Sequence, residues 1–197
     1  MRPKKPLKAG GHIRIIGGKW RGRKLSVPSL PGLRPTPDRV RETLFNWLAV
    51  DIQGATCCDL FCGSGALGFE AASRGAASVT LVDQHKKVAL QMAKNLQLIK
   101  TENILFQQRN VLDFLAKDAG PVERAFDIIF LDPPFEQNLI APCITLLEQN
   151  GWLKPNSIIY IESESSITTL TVPQCWALYR EKISGQVCYR LYHRTEG

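Results

Sequence analysis

Four consecutive residues, Asp132-Pro133-Pro134-Phe135, follow an apolar run and have the groups needed to bind an aromatic amine. The Asp132 carboxylate and the Pro133 carbonyl can accept both N–H groups of an exocyclic amine, and the prolines have fixed φ angles and no amide proton. Phe135 can stack on a base that has been drawn out of its helix. The nitrogen of such an amine is a poor nucleophile, because its lone pair is delocalised into the ring. The four residues therefore favour a pocket that positions a base amino group for attack on an activated methyl group.

A glycine motif at residues 59–68 indicates a second binding site, because its G-x-G-x-x-G pattern lets the backbone turn sharply and approach a ligand. Asp83 lies 24 residues after Asp59, at the end of the next predicted strand, where its carboxylate could hold ribose hydroxyls. A dinucleotide and S-adenosylmethionine both fit these features. Asp59, four residues before Gly63, favours the methyl donor, since an acid can bind an amino group and would repel a pyrophosphate.

These motifs need a scaffold that brings them together, and the sequence from residue 55 onward predicts one. Short apolar strands alternate with helices, which is typical of a parallel sheet covered by helices on both faces. Ser184-Gly185 between two further strand candidates predicts an antiparallel hairpin at the edge. The predicted fold class is α/β, a doubly wound, mostly parallel seven-stranded sheet. The predicted strands span 56–61, 78–83, 104–109, 126–132 and 157–162, the hairpin strands 176–183 and 186–193, and the helices 65–74, 85–98, 111–117 and 138–149.

The charge of the chain is distributed unevenly. The net charge is +7, but residues 1–41 carry 12 Lys and Arg against the single acid Asp38, whereas residues 42–197 carry 13 against 17 acids. The first segment is thus at +11 and the remainder at −4. A local excess of positive charge favours binding of a polyanion, and nucleic acid is the partner we expect.

The basic segment is predicted to contain a β-hairpin followed by a helix. Residues 12–16 alternate apolar and polar types, Gly17-Gly18 predicts a tight turn, and residues 19–27 form the returning strand. Thr36 is the predicted N-cap and Pro37 the first residue of a helix that runs to about Val50. The basic side chains of the hairpin are Arg14, Lys19, Arg21, Arg23 and Lys24.

The cysteines and histidines give little support to a metal site, and none is predicted. The six cysteines form no C-x2-C pair and the three histidines lie far apart in the sequence, so reduced thiols are expected. No apolar run approaches the roughly 18 residues of a membrane span, and the basic N-terminus lacks the apolar stretch of a secretory signal. We therefore expect a cytoplasmic location without a membrane partner.

With these motifs the sequence resembles class I S-adenosylmethionine-dependent methyltransferases, which have a Rossmann-like sheet, and in particular those that methylate amino groups. More narrowly, it resembles the bacterial 16S ribosomal RNA guanine-N2 methyltransferases. The resemblance covers nearly the whole chain and is carried by residues 14–23, 34–42, 59–68 and 132–135. The glycine motif is common to class I methyltransferases, and Asp-Pro-Pro-Phe is common to amino methylases of DNA, RNA and protein. The resemblance to the 16S ribosomal RNA family in particular therefore depends on the two N-terminal stretches.

The resemblance implies methyl transfer from S-adenosylmethionine to N2 of a guanine in 16S ribosomal RNA, presented within a 30S subunit or an assembly intermediate, by a monomeric enzyme. Asn110 stands where related enzymes often have Asp, and its amide can still bond the adenine edge. The implied donor contacts are Asp59, Gly63 and Gly65 to the methionine and adenosine parts, Asp83 to the ribose, and Asn110 and Val111 to the adenine, with Asp132, Pro133, Pro134 and Phe135 around the target base.

Two different roles fit three residues at the start of the predicted helix. Thr36, Arg39 and Arg41 could bind the donor carboxylate or an RNA phosphate. The alternative is a capped amphipathic helix with a solvated basic face, and the sequence favours neither.

These observations divide the chain into two predicted domains. Residues 1–36 are predicted to be an RNA-contacting arm and residues 37–197 the methyltransferase domain.

One alternative function is that of a DNA adenine-N6 or cytosine-N4 methyltransferase, although the chain has little room for a separate DNA-recognition domain. The other is a nucleic-acid-binding module with an inactive donor pocket, which the intact glycine motif with Asp83 disfavours. A nicotinamide dehydrogenase would leave Asp-Pro-Pro-Phe and the basic arm unexplained.

Overall fold

The computed structural model describes residues 11–33 and 35–195. A small two-stranded sheet precedes a seven-stranded sheet with helices on both faces. Within these residues the strands are β1 (His12–Arg14), β2 (Lys24–Ser26), β3 (Thr56–Leu60), β4 (Ser78–Asp83), β5 (Ile104–Gln108), β6 (Phe126–Leu131), β7 (Leu153–Glu164), β8 (Trp176–Ser184) and β9 (Val187–Arg194). The α-helices of the same ranges are α1 (Asp38–Trp47), α2 (Ala66–Ser73), α3 (Lys86–Ile99), α4 (Val111–Leu115) and α5 (Ile140–Gln149).

The large sheet has the order β5-β4-β3-β6-β7-β9-β8. The first five strands in this order are parallel, and β9 and β8 add an antiparallel edge. The doubly wound, mostly parallel α/β fold with a C-terminal edge hairpin is thus confirmed. None of the helices in the described ranges combines the length and the apolar character that crossing a bilayer requires.

Two hydrophobic clusters hold the layers together, one on each face of the sheet. The larger one joins Phe69 of α2 and Met92 of α3 to the inward side chains of the sheet. The other joins Phe114 of α4 and Leu147 of α5 to the opposite face. Because both faces are covered, the central strands are apolar on both sides, and β6 contains the run Ile-Ile-Phe-Leu.

The predicted central elements agree with the structure within two residues, except at the start of β7. This strand begins at Leu153 instead of 157, and its pairing with β6 is irregular between Phe126 and Ile128. Pro155 and Asn156 are typical of a turn in sequence, and Asn156 has a φ of 64°. Because such residues have low strand propensity, the sequence placed the start of this strand after them.

The N-terminal hairpin is present, but its predicted tight turn at Gly17-Gly18 is wrong. His12 pairs with Ser26 and Arg14 with Lys24, so residues 15–23 form a long connection that includes a short 3₁₀ helix. Gly18 has a φ of 71°, and a Cβ there would overlap the carbonyl oxygen of Ser73. The glycine pair thus allows the connection to pack closely against α2.

The start of α1 also differs from the prediction. Pro37, not Thr36, occupies the N-cap position, Asp38 is the first helical residue, and the helix ends at Trp47 instead of near Val50. The Thr36 side chain is directed elsewhere, with its hydroxyl facing Asp132.

Candidate active site

The candidate site lies at the carboxyl edge of the parallel strands. Leu60 at the end of β3 is in register with Val82 on one side and Leu131 on the other, so the residues that follow these strands meet at one edge. The glycine motif, Asp83 and Asp132 are therefore brought together as the sequence predicted.

The glycine motif forms the first part of this edge. Gly63 and Gly65 have φ angles of 47° and 74°, and Gly65 is the N-cap of α2. The Gly63 amide donates a hydrogen bond to Asp83 Oδ2 at 3.0 Å. Asp83 Oδ1 also accepts a hydrogen bond from the backbone amide of His85 at 2.8 Å. Together these two bonds hold the carboxylate beside the glycine loop.

Asp59 lies beneath the loop instead of on its surface. It is 2% exposed, and its Oδ2 accepts a hydrogen bond from the Gly68 amide at 2.9 Å. Burial raises the pKa of Asp59 to about 8. In this structure the carboxyl group holds the first turn of α2, and direct contact with the donor amino group stays a prediction.

Asn110 lies at the carboxyl end of β5 and serves as the N-cap of α4. Its Oδ1 accepts the Leu112 amide at 2.8 Å, and its Nδ2 donates to Gln84 Oε1 at 3.0 Å. Val111, the first helical residue, is buried. The cap explains an Asn at this position, and the predicted adenine contact of the two residues stays a prediction.

The Asp132-Pro133-Pro134-Phe135 segment follows β6 at the same edge. Asp132 is half-buried, Pro133 is buried, and Pro134 and Phe135 are exposed, with 39% of Phe135 accessible. Thr36 Oγ1 donates to Asp132 Oδ2 at 3.5 Å. Burial raises the pKa of Asp132 to about 7, although the Thr36 hydroxyl lowers it. The group can therefore hold or release a proton near neutral pH.

Glu162, near the end of β7, was not predicted as a site residue. It is 3% exposed, and Tyr160 donates its hydroxyl proton to Glu162 Oε1 at 2.8 Å. Burial, followed by the charge of Asp132, raises the pKa of Glu162 well above its ordinary value, and the hydroxyls of Tyr160 and Thr36 oppose this. Its place at the end of a predicted strand, at the same edge as Asp132, was the signal in the sequence that could have identified it.

The predicted RNA-contacting side chains lie mostly on the surface. Arg14 and Lys24 are opposite each other across the hairpin, on the exposed face, and line an open groove of about 510 Å³ with His12, Ile13 and the acid Asp38. Lys19, Arg21, Arg23 and Arg39 are also exposed.

Arg41 departs from the prediction of an RNA or donor contact. It is 1% exposed, and its guanidinium is bound to Asp38 at 2.6 Å, to the Arg14 carbonyl at 2.9 Å and to the Thr36 carbonyl at 3.3 Å. Glu70 Oε2 lies 3.4 Å from a nitrogen of the same guanidinium. With its donors directed inward, Arg41 connects the hairpin to α1 and α2 and does not face a ligand.

Known proteins are similar to this chain in sequence and in structure. The family model described as Conserved hypothetical protein 95 matches residues 13–193. The ribosomal RNA small subunit methyltransferase D of Escherichia coli is 54% identical over 97% of this chain and 95% of its own length, and that of Haemophilus influenzae is 50% identical over 93% and 95%. The solved structure of the Escherichia coli methyltransferase yhhF has a TM-score of 0.85 and 53% identity, covering 95% of this chain and 100% of that chain. The chain therefore belongs to the ribosomal RNA small subunit methyltransferase D family.

Proposed function

We propose that the protein transfers a methyl group from S-adenosylmethionine to the exocyclic N2 of a guanine in 16S ribosomal RNA. The observation that carries this proposal is the Asp132-Pro133-Pro134-Phe135 segment beside the glycine motif, at one edge of the sheet. The small-subunit RNA as substrate is supported by the names of the relatives. The restriction to guanine N2 rests on the family resemblance, since the acceptor groups of the pocket suit any exocyclic amine.

The residues at the edge suit the methyl donor. The Asp83 carboxylate can accept ribose hydroxyls, and the positive end of the α2 dipole begins at the glycine loop beside it. Asn110 and the backbone of Val111 at the end of β5 are the proposed adenine contacts. When bound, the donor supplies an electrophilic methyl group on a sulfonium.

The base pocket positions the guanine and supplies hydrogen-bond acceptors for its amine. Asp132 and the Pro133 carbonyl accept the two N–H groups of the guanine amine, which orients the nitrogen lone pair toward the methyl group. The exposed ring of Phe135 stacks on the extruded base. The ionised form of Asp132 is also placed to take the proton that the nitrogen loses as the N–C bond forms.

The basic hairpin is the proposed arm for RNA. Ile13 and Leu25 on its inner face are part of the same hydrophobic cluster as α2 and α3, while Arg14 and Lys24 face outward. We therefore propose that the arm of residues 1–36 and the catalytic domain of residues 37–197 differ in function, while the hairpin packs against the domain. Residues 1–10 and Arg34 lie outside the described residues. We infer a monomer that acts on a 30S particle or its assembly intermediate in the cytoplasm.

Incubation with a labelled methyl donor and small-subunit particles tests the proposal. We expect label in 16S RNA and, on mapping, at N2 of one guanine. Asp132→Ala should retain donor binding by calorimetry and lose turnover by about 100-fold or more, because acceptor and proton-taking groups both disappear. Glu123→Ala, at an exposed acid outside the edge, is the control. Label in duplex DNA but not in RNA would favour the DNA amino methylase, and the absence of donor binding would favour the inactive module.

A further inference from the structure

Strand β7 extends beyond its neighbour β6 at the candidate active site. Leu131, the last residue of β6, is in register with Ile161, whereas β7 continues to Glu164. The extension remains part of the sheet because β9 pairs with it, and Glu164 is opposite Val187. The end of β7 therefore lies beside the segment that follows β6, which contains residues 132–135.

A hydrogen bond joins the end of β7 to the Phe135 loop, as we call residues 134–138. The backbone amide of Glu136 donates to Glu164 Oε1 at 2.6 Å. A charged acceptor and a short distance are typical of the stronger hydrogen bonds in proteins. Since Glu136 directly follows Phe135, this bond holds the backbone one residue after the ring that is proposed to stack on the base.

We propose that Glu164 is a positioning residue of the base pocket, which holds the Phe135 loop so that the Phe135 ring is in place before the base enters. The proposal rests on the proposed function, in which that ring stacks on the extruded guanine, and adds a residue to it. Glu164 acts here through the backbone of Glu136 and does not itself touch the base.

The Phe135 loop has a conformation that its own sequence does not favour. Glu136 and Asn138 have φ angles of 63° and 53°, in the left-handed region that residues other than glycine adopt infrequently. The side chains of residues 134–138 are exposed, so the hydrophobic core contributes little to fixing them. A left-handed residue persists where its surroundings hold it, and the Glu164 carboxylate provides such a contact at Glu136.

The Glu164 backbone is in turn held by the antiparallel edge of the sheet. Arg190 of β9 is 2% exposed, and its guanidinium donates to Ser163 Oγ at 2.9 Å and to the Ile167 carbonyl at 2.7 Å. The Glu164 carbonyl accepts the Ile167 amide at 3.0 Å, which closes a turn directly after β7. The edge hairpin thus fixes the backbone of Glu164 and, through its side chain, the position of the Phe135 loop.

Hydrogen exchange of the Glu136 amide, measured by NMR in the donor-free protein, tests the contact itself. In Glu164→Ala we expect this amide to exchange about tenfold faster or more, as expected for the loss of one hydrogen bond to a charged acceptor. Glu164→Gln retains an oxygen acceptor and should stay within about threefold of the wild-type rate. Equal exchange in the wild-type protein and Glu164→Ala would overturn the proposal.

This measurement is independent of the proposed function, because it needs neither donor nor RNA. If the wild-type protein fails to methylate small-subunit particles, only the proposed function is refuted, and the exchange of the Glu136 amide still decides whether Glu164 holds the loop.

Steady-state kinetics with small-subunit particles measure the effect on the reaction. Stacking on Phe135 is present in the bound complex and in the transition state alike, so its loss raises KM and changes kcat little. We expect Glu164→Ala to raise KM for the particles about tenfold, with kcat within about threefold of wild type and with unchanged donor affinity by calorimetry. A loss of kcat with an unchanged KM would contradict the positioning role.

Two further variants separate the acceptor from the charge. Glu164→Gln removes the negative charge and keeps the acceptor, so it should restore KM to near the wild-type value. Glu102→Ala, at an exposed acid before β5, is the matched control and should leave KM unchanged. Equal increases of KM in the Ala and Gln variants of Glu164 would overturn the proposal.

A double-mutant cycle identifies the residue through which Glu164 acts. If it acts through Phe135, Glu164→Ala should have almost no further effect on kcat/KM in a protein that already carries Phe135→Ala. Losses that multiply in the double variant would mean that Glu164 affects the reaction by another route, and the proposal would be wrong.

Discussion

Replacement of Glu70 by Gln should loosen the N-terminal hairpin from the domain. Glu70 lies in α2 and is completely buried. Its two oxygens accept the backbone amides of Ile16 and Gly17, both at 2.8 Å, and the Arg74 guanidinium at 2.7 Å. Arg41 contributes a further contact at 3.4 Å. One carboxylate thus holds two amides of the hairpin connection and two cations.

The size of the effect follows from what Gln cannot provide. Gln has nearly the same shape, but it has one oxygen and its amide nitrogen would face a donor. Removing one partner of a buried ion pair costs about 3–5 kcal/mol where the other charge stays buried without compensation, and here Arg41 keeps its bond to Asp38, which favours the low end of that range. The remaining oxygen can still accept from one side, so we expect a loss of about 3 kcal/mol in the free energy of unfolding.

Urea unfolding and hydrogen exchange measure the two parts of this prediction. The amides of Ile16 and Gly17 should exchange faster in Glu70→Gln by about two orders of magnitude, as expected if local opening becomes about 3 kcal/mol easier. Glu42→Gln, at an exposed acid of α1, is the matched control and should change neither quantity. A loss below about 1 kcal/mol with unchanged exchange at both amides would refute the role of Glu70 as the anchor.

Three further changes probe the loop, the arm and the buried acid. Gly18→Ala should destabilise the protein and speed exchange in the hairpin connection, because φ is 71° and the added Cβ overlaps Ser73; unchanged urea unfolding would contradict this. Arg21→Ala should reduce the slope of log K against log salt for RNA binding by about one if Arg21 contacts a phosphate, and an unchanged slope would assign it to the solvated surface. Burial raises the pKa of Asp59 to about 8, so the native state keeps a proton that the unfolded chain releases, and the contribution of Asp59 to stability falls as the pH rises from about 4 to 8. Asp59→Asn should reduce this slope by about 1.4 kcal/mol per pH unit in urea unfolding at several pH values, and an identical slope would show that Asp59 does not titrate in this range.

The edge of the sheet could be predicted because it depends on a general property of parallel strands. Asp83 and Asp132 each follow an apolar run, and parallel strands bring such positions to one edge whatever the strand order. The sequence thus located both motifs without any knowledge of which strands are neighbours. Glu162 satisfies the same criterion, but an acid at a strand end is too common to be selected without the burial that the structure shows.

The roles of Thr36 and Arg41 could not be predicted, since they depend on residues distant in the chain. Thr36 bonds to Asp132, 96 residues away, and a helix start with Thr followed by Pro gives a complete local explanation of that Thr. Arg41 lies in a basic segment, where a solvated charge is the common outcome. Its burial is possible only because Glu70, 29 residues away, and the carbonyls of Arg14 and Thr36 receive its donors.

Arg41 also changes what the uneven charge of the chain means. The guanidinium bonds to the carbonyl of Arg14, whose side chain faces the proposed RNA, and to the carbonyl of Thr36, whose hydroxyl faces Asp132. A solvated basic tail would attract RNA in many orientations, because its charges have no fixed relation to the pocket. The buried Arg41 instead holds the basic face at a fixed position relative to the base pocket. The exposed cations of the described hairpin are therefore arranged so that the RNA of the proposed function can meet the pocket in a limited set of orientations.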